Sequence, residues 1–199
     1  KIKILNLIHS REEAEVVRKM DYHGEMEMVR KNKKRMKVIN DIALISKKNS
    51  LILFWKIDHG QDIYDSLMKD PRSAERKIVL LSGKNKLDER EELRALMEVS
   101  DDVIAVASYG IFSTGVSVKN IFNLVFASSY KSMIKVCQSI GRGLRALTNK
   151  THLTLYDIVD VYPGPRPNSK PNYSVEHSIS RVKIYNDEQF DYEMVSIEV

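Results

Sequence analysis

A chain of 199 residues, 43% hydrophobic and 30% charged, is expected to form one large soluble domain or two small ones. No apolar run approaches the ~20 residues needed to cross a bilayer, so a membrane-spanning role is excluded. The single cysteine, Cys137, excludes an internal disulfide and a thiolate metal cluster and favours a reducing, cytoplasmic compartment, while a net charge of +5 permits nucleic-acid binding without requiring it.

In chain order, residues 2–8 alternate apolar and polar side chains and predict a strand. No charged-then-apolar leader follows Lys1, so a secretory signal is not expected and the chain can start within a longer protein. Ser10 with Glu13 forms a capping-box pattern that opens a helix over 10–20. Arg30, Lys31, Lys33, Lys34, Arg35 and Lys37 then crowd one short run, read either as a solvated face or as a nucleic-acid contact. Met36, Ile39, Ile42, Ala43 and Ser46 keep helical spacing and predict an amphipathic helix to about residue 48.

From there strands and helices alternate. Residues 51–57 form a continuous apolar strand of the kind buried on both faces, and 61–68 a helix stopped by Pro71. A strand over 78–81 ends at Ser82-Gly83. A helix over 88–99 carries its stripe at Leu93, Leu96 and Met97, and a strand over 103–107 ends at Ser108-Tyr109-Gly110. Strands over 121–127 and 152–158 bracket a further helix. The alternation implies an α/β fold built of βαβ units, with a parallel sheet covered by helices on both faces. Ligands bind such sheets outside the carboxyl ends of the strands, which is where Ser82-Gly83 and residues 108–115 fall. Residues 162–167, with three prolines, read as a loop. A helix over 173–185 and a strand over 192–199 follow. The expected division is a domain over 1–160 and an appendage over 161–199 packed on it.

The bracketed helix ends in Gln138-Ser139-Ile140-Gly141-Arg142-Gly143-Leu144-Arg145. Arginines at i, i+3 leave one side of a helix, and two planar cations there suit either a dense anion such as a triphosphate or the carbonyl end of the helix dipole. A phosphate cradle of the form G-x-x-x-x-G-K-[ST] is missing: Gly83-Lys84 has Ile78 in place of the first glycine and Asn85 in place of the hydroxyl. Asp157 ends a strand with no second carboxylate beside it, so it is read as structural. No His or Cys spacing fits zinc, and 113–117 supplies no serine-hydrolase elbow. Metal-ligating residues are therefore expected to be none. Groups fit to contact phosphates but without a cradle of their own amount to half a site.

Residues 107–118 (Ala-Ser-Tyr-Gly-Ile-Phe-Ser-Thr-Gly-Val-Ser-Val) and 138–145 resemble motifs V and VI of superfamily 2 helicases, the second in the form Q-x-x-G-R-x-x-R. Residues 51–60 resemble motif IV, and Gly83 with Arg90 matches the glycine-to-arginine spacing after the next strand. The wording of 108–120, and the tail over 183–190, are similar to phage recombination helicases of the UvsW type. The resemblance implies a C-terminal RecA-like domain, one of two in a DNA helicase or translocase of recombination and repair, in a bacterial or phage-infected host cytoplasm. It implies ATP and Mg2+ held mainly by an N-terminal RecA-like partner domain, and single-stranded or branched DNA as the other partner. Carried over by position, Arg145, Arg142 and Gln138 are catalytic, with Arg145 the arginine finger; Gly115 and Ser117 join both arginines at the nucleotide. Lys56, Gly83, Arg90, Ser108, Tyr109 and Thr114 lie along the nucleic acid. Ser117 and Tyr109 stand where many relatives have aspartate, and Thr114 where many have arginine. The competing expectation is an ATP-independent nucleic-acid-binding module that contacts DNA through the basic run of 30–37.

Overall fold

The structure, a computed structural model, describes residues 1–46, 48–83, 85, 87–110, 120–128 and 153–199. Its strands are β1 (Ile2–Ile8), β2 (Ser50–Phe54), β3 (Lys77–Leu81), β4 (Val103–Ser108), β5 (Asn123–Phe126), β6 (Thr154–Val161) and β7 (Tyr192–Glu198). Its described α-helices are α1 (Arg11–Val17), α2 (Tyr22–Lys31), α3 (Lys33–Ile45), α4 (Ile57–Lys69), α5 (Leu87–Val99) and α6 (Tyr173–Asp187). One sheet holds all seven strands in the order β3-β4-β2-β5-β6-β1-β7, and every pairing is parallel.

The pattern of burial follows from that sheet. All residues of β2 and β5 are buried, as strands covered on both faces must be. On one face Ile39 and Ala43 of α3 and Ile63 and Leu67 of α4 pack with Ile52, Phe54, Ile104 and Val106. On the other, Leu93 and Met97 of α5 and Tyr185 of α6 pack with Leu51, Leu53, Ala105 and Leu155. Each fully buried aliphatic or phenyl side chain contributes about 1.5–3 kcal/mol. At Gly60 a Cβ would stand 2.3 Å from the Phe54 ring, so only glycine lets α4 lie this close on β2.

Helix starts follow their caps. Ser10 and Glu13 make the predicted capping box at α1. Helix α2 was not anticipated by periodicity. Asp21 caps it by accepting from Gly24 N–H at 2.8 Å, and Asn32 separates it from α3, accepting from Lys34 and Arg35 N–H at 2.9 and 3.0 Å. The last stretch enters the main sheet: β7 pairs with β1 over its whole length. The amino end of α6 is fixed across the chain by Glu25 of α2, which is 2% exposed. Its carboxylate accepts from Tyr173 and Ser174 N–H at 3.1 and 2.9 Å and from Asn172 Nδ2 at 2.7 Å, a favourable place for a negative charge at a helix N-terminus.

Strand β6 carries two fully buried carboxylates. Asp157, read from the sequence as structural, meets Arg181 Nε at 2.8 Å and the Tyr185 hydroxyl at 2.9 Å, both from α6. Asp160 meets Arg35 Nε of α3 at 2.8 Å and His9 Nε2 at 3.0 Å. No described helix is long and apolar enough to cross a membrane.

Candidate functional site

Strand β2 pairs with β4 on one side and β5 on the other. After β2 the chain adds β3 and β4 on one side and then crosses to β5 and β6 on the other, so a switch point of the sheet lies at the carboxyl end of β2. There Trp55 N–H donates to Ser128 Oγ, just after β5, at 3.2 Å, and the same hydroxyl lies 3.4 Å from His59 Nδ1. The Trp55 side chain turns outward and is 48% exposed. Its ring lies 6.4 Å from that of Tyr109 at 44°. Tyr109 is 4% exposed and its ring packs 6.1 Å from Phe126, inside the core.

The described residues named by the sequence gather along this edge. Lys56 caps α4 without a side-chain hydrogen bond, is exposed, and has no ion-pair partner among the described residues. Ser108 ends β4 in register with Phe54 and is half-buried. Gly83, after β3, is exposed, and a Cβ there would meet nothing within 4 Å. No internal packing requires that glycine, and the backbone there is open to close approach. Arg90 turns back under the same loop and donates to the Asn85 carbonyl at 3.2 Å, while its Nε is buried with no partner among the described residues. Tyr109 shares the edge, with its ring directed into the core. Thr114, Gly115, Ser117, Gln138, Arg142 and Arg145 lie outside the described residues. The sequence reads Trp55 as part of an apolar strand over 51–57, whereas β2 ends at Phe54 and α4 begins at Ile57.

The basic run of 30–37 is not one surface. Arg30 pairs with Asp58 of α4, and Lys31 with Glu27 at 2.6 Å. Lys34 stands 3.6 Å from Glu13, and Arg35 is 1% exposed against Asp160. Lys33 and Lys37 remain without an ion partner among the described residues, beside a groove between α3 and α4 that Lys69 also borders.

Below Lys56, a cavity of about 20 Å³ reaches His59, whose Nε2 has no hydrogen-bond partner among the described residues. Burial first, with Arg35 and Arg30 adding repulsion, pushes the imidazole pKa from 6.5 down to about 3. Folding therefore excludes a proton that the unfolded chain takes up below about 6.5. Stability from this group is complete above that pH and falls by about 1.4 kcal/mol per pH unit on acidification toward the folded value. Thermal unfolding between pH 7 and 4 should show this slope, and His59→Gln should flatten it; an unchanged slope would remove His59 as its source. Among the described residues no three His, Cys, Asp or Glu side chains converge on a point that could hold a metal ion.

An all-parallel sheet of this order is a RecA-like fold, the fold of helicase C-terminal domains, and the chain resembles that domain of superfamily 2 helicases. No protein-family model matches the sequence. The C-terminal domain of the DEAD-box protein Dbp5 superposes with a TM-score of 0.58 over 98% of this chain and 90% of that one; at 11% identity this likeness is one of fold. One relative is UvsW of Enterobacteria phage T4, an ATP-dependent DNA helicase, 36% identical over an alignment of 187 residues that covers 88% of this chain. The crystal structure of T4 UvsW matches the whole chain with a TM-score of 0.83 at 32% identity. The chain spans 36% of the length of that curated relative and 41% of the crystallised one.

Proposed function

We propose that the chain is the second motor domain of an ATP-dependent DNA helicase or translocase that unwinds DNA or remodels its branches in recombination and repair. Residues 1–160 form the motor domain and 161–199 its appended helix and strand. The observation that carries this reading is Gln138 to Arg145 standing, as Q-x-x-G-R-x-x-R, in a chain that aligns over 88% of its length with a DNA helicase.

Arg145 reaches the triphosphate from this side and stabilises the charge that spreads over its equatorial oxygens during phosphoryl transfer. Arg142 adds a second fixed cation, Gln138 orients the helix end or the attacking water, and Gly115 and Ser117 border the nucleotide. Magnesium, which neutralises phosphate charge, is held by the N-terminal RecA-like domain. Lys56, Gly83, Arg90, Ser108 and Thr114, with the backbone at Tyr109, face one DNA strand. Closure of the two domains on ATP and release after hydrolysis then alternate the grip on that strand's phosphates, contacts that carry no sequence information.

The test compares the full-length protein with residues 1–199 alone. The full-length protein should hydrolyse ATP faster with branched or single-stranded DNA, and the isolated fragment should show no turnover. Turnover by the fragment would end the half-site reading. DNA binding by a full-length protein indifferent to ATP would replace it with an ATP-independent binding module.

A further inference from the structure

We infer that the groove between α3 and α4 is a docking surface for the sugar-phosphate backbone of a duplex DNA arm. The inference rests on the proposed reading that the protein is a DNA motor, and it adds a contact surface away from the carboxyl edge of the sheet. The groove encloses about 440 Å³ and is lined by Lys33, Lys37 and Asn40 of α3, by Ser66 and Lys69 of α4, and by Arg72 just beyond. Lys33, Lys37 and Lys69 are exposed, and none has an ion-pair partner among the described residues. Elsewhere in the basic run Arg30, Lys31, Lys34 and Arg35 all meet carboxylates. Arg72 already engages Asp70 and Asp41, at 2.7 and 2.8 Å. Lys33 and Lys37 stand one helical turn apart, where like charges repel. Three unmatched cations on two facing helices are unfavourable together until an anion lies between them.

The inner wall of the groove carries an unmatched polar group as well. Asn40 is 5% exposed; its Nδ2 donates to Ser66 Oγ at 2.7 Å, and its Oδ1 has no hydrogen-bond partner among the described residues. With the amide turned over, Oδ1 accepts from the Ser66 hydroxyl and Nδ2 becomes a donor into the groove. A phosphodiester oxygen, which only accepts, suits that donor and the three ammonium groups alike. Position favours a duplex over a single strand. Arg35, two residues after Lys33, reaches Asp160 near the carboxyl end of β6, whereas Lys69 ends the helix that starts at the carboxyl end of β2. The groove therefore begins near the motor edge and leads away from it along the two helices, off the track of a strand crossing that edge. Between Lys33 and Asn40 helix α3 rises about 10 Å, a length over which duplex DNA presents about six backbone charges.

The experiment uses the full-length protein and two probes, a fork carrying a duplex arm and the same single strand without the arm. Lys33→Gln, Lys37→Gln and Lys69→Gln, combined in one variant, should weaken binding of the fork. The slope of log Kd against log salt on the fork should become shallower by about 2–3, or roughly 0.9 per lost phosphate contact. A second variant with Lys33→Arg, Lys37→Arg and Lys69→Arg should keep the wild-type slope. Affinity for the single strand, and kcat for ATP hydrolysis at saturating single strand, should be the same in all three proteins. The three side chains are exposed, and equal Tm values would show that the variants fold alike. Equal losses on fork and single strand, or an unchanged slope on the fork, would overturn the inference. An unchanged slope together with lost binding of a polyglutamate peptide would assign the groove to an acidic protein partner. Failure of wild type to bind either DNA would instead overturn the proposed function.

Discussion

Arg145→Ala in the full-length protein is expected to lower kcat for DNA-stimulated ATP hydrolysis by ~10³–10⁵-fold and to change DNA affinity far less. The asymmetry follows from what an arginine finger does. The negative charge it meets is spread over the equatorial oxygens only as the γ-phosphoryl group is transferred, so its contribution is larger in the transition state than in the bound ground state. A guanidinium that merely held a DNA phosphate would contribute to strand binding in every state, and its loss would appear in Kd and in the salt slope. Steady-state ATPase rates and strand affinities, measured side by side on wild type and Arg145→Ala, separate the two. Equal losses in both would move Arg145 from the nucleotide to the DNA.

Asp160→Ala is expected to be among the most damaging single changes in the described core. The carboxylate is fully buried and meets Arg35 Nε and His9 Nε2. Arg35 is 1% exposed, and its Nη1 and Nη2 have no hydrogen-bond partners among the described residues. Removing the counter-charge leaves a guanidinium stranded in the interior, which costs about 3–5 kcal/mol and lowers Tm by roughly 10 °C for a chain of this size. Replacing both partners, as in Arg35→Met with Asp160→Leu, should recover most of the loss, because no buried charge is then orphaned. A double variant as unstable as Asp160→Ala would show that packing at this site, and not charge pairing, sets the cost. Burial raises the Asp160 pKa, but Arg35 and His9 outweigh it and hold the carboxyl below the usual aspartate value. Its contribution is thus present above the unfolded pKa and is lost as pH falls through the folded one, the same direction as the slope from His59.

The sheet was legible in the sequence because its strands are short apolar runs separated by helices with clear stripes. Residues 78–81 and 103–107 differ from β3 and β4 by a single residue at one end. β6 ran further than expected, to Val161, because β1 pairs with it as far as Ile8. Helix α2 escaped because its reasons are tertiary. Glu25 is buried only to cap a helix that begins 148 residues later, and Arg35, inside what looks like a solvated basic run, faces a carboxylate 125 residues away. No local periodicity encodes such partners. The edge of the sheet was readable from Ser82-Gly83 and Ser108. The outward turn at Trp55 was not, since its backbone N–H is held by Ser128, which follows β5 and lies 73 residues later in the chain.

The two aspartates of β6 also act on alignment. Being three residues apart, they point to opposite faces, and each finds its arginine on a different helix. The apolar neighbours Leu155, Ile158 and Val159 are buried on both sides of the same strand, so hydrophobicity alone distinguishes one alignment from its neighbour only weakly. A slip of one residue would turn Asp157 toward α3 and Asp160 toward α6 and would leave four buried charges without their partners. The strand can therefore settle into the sheet in one register only, and the pairs that contribute little to net stability decide how the chain's second half threads against its first.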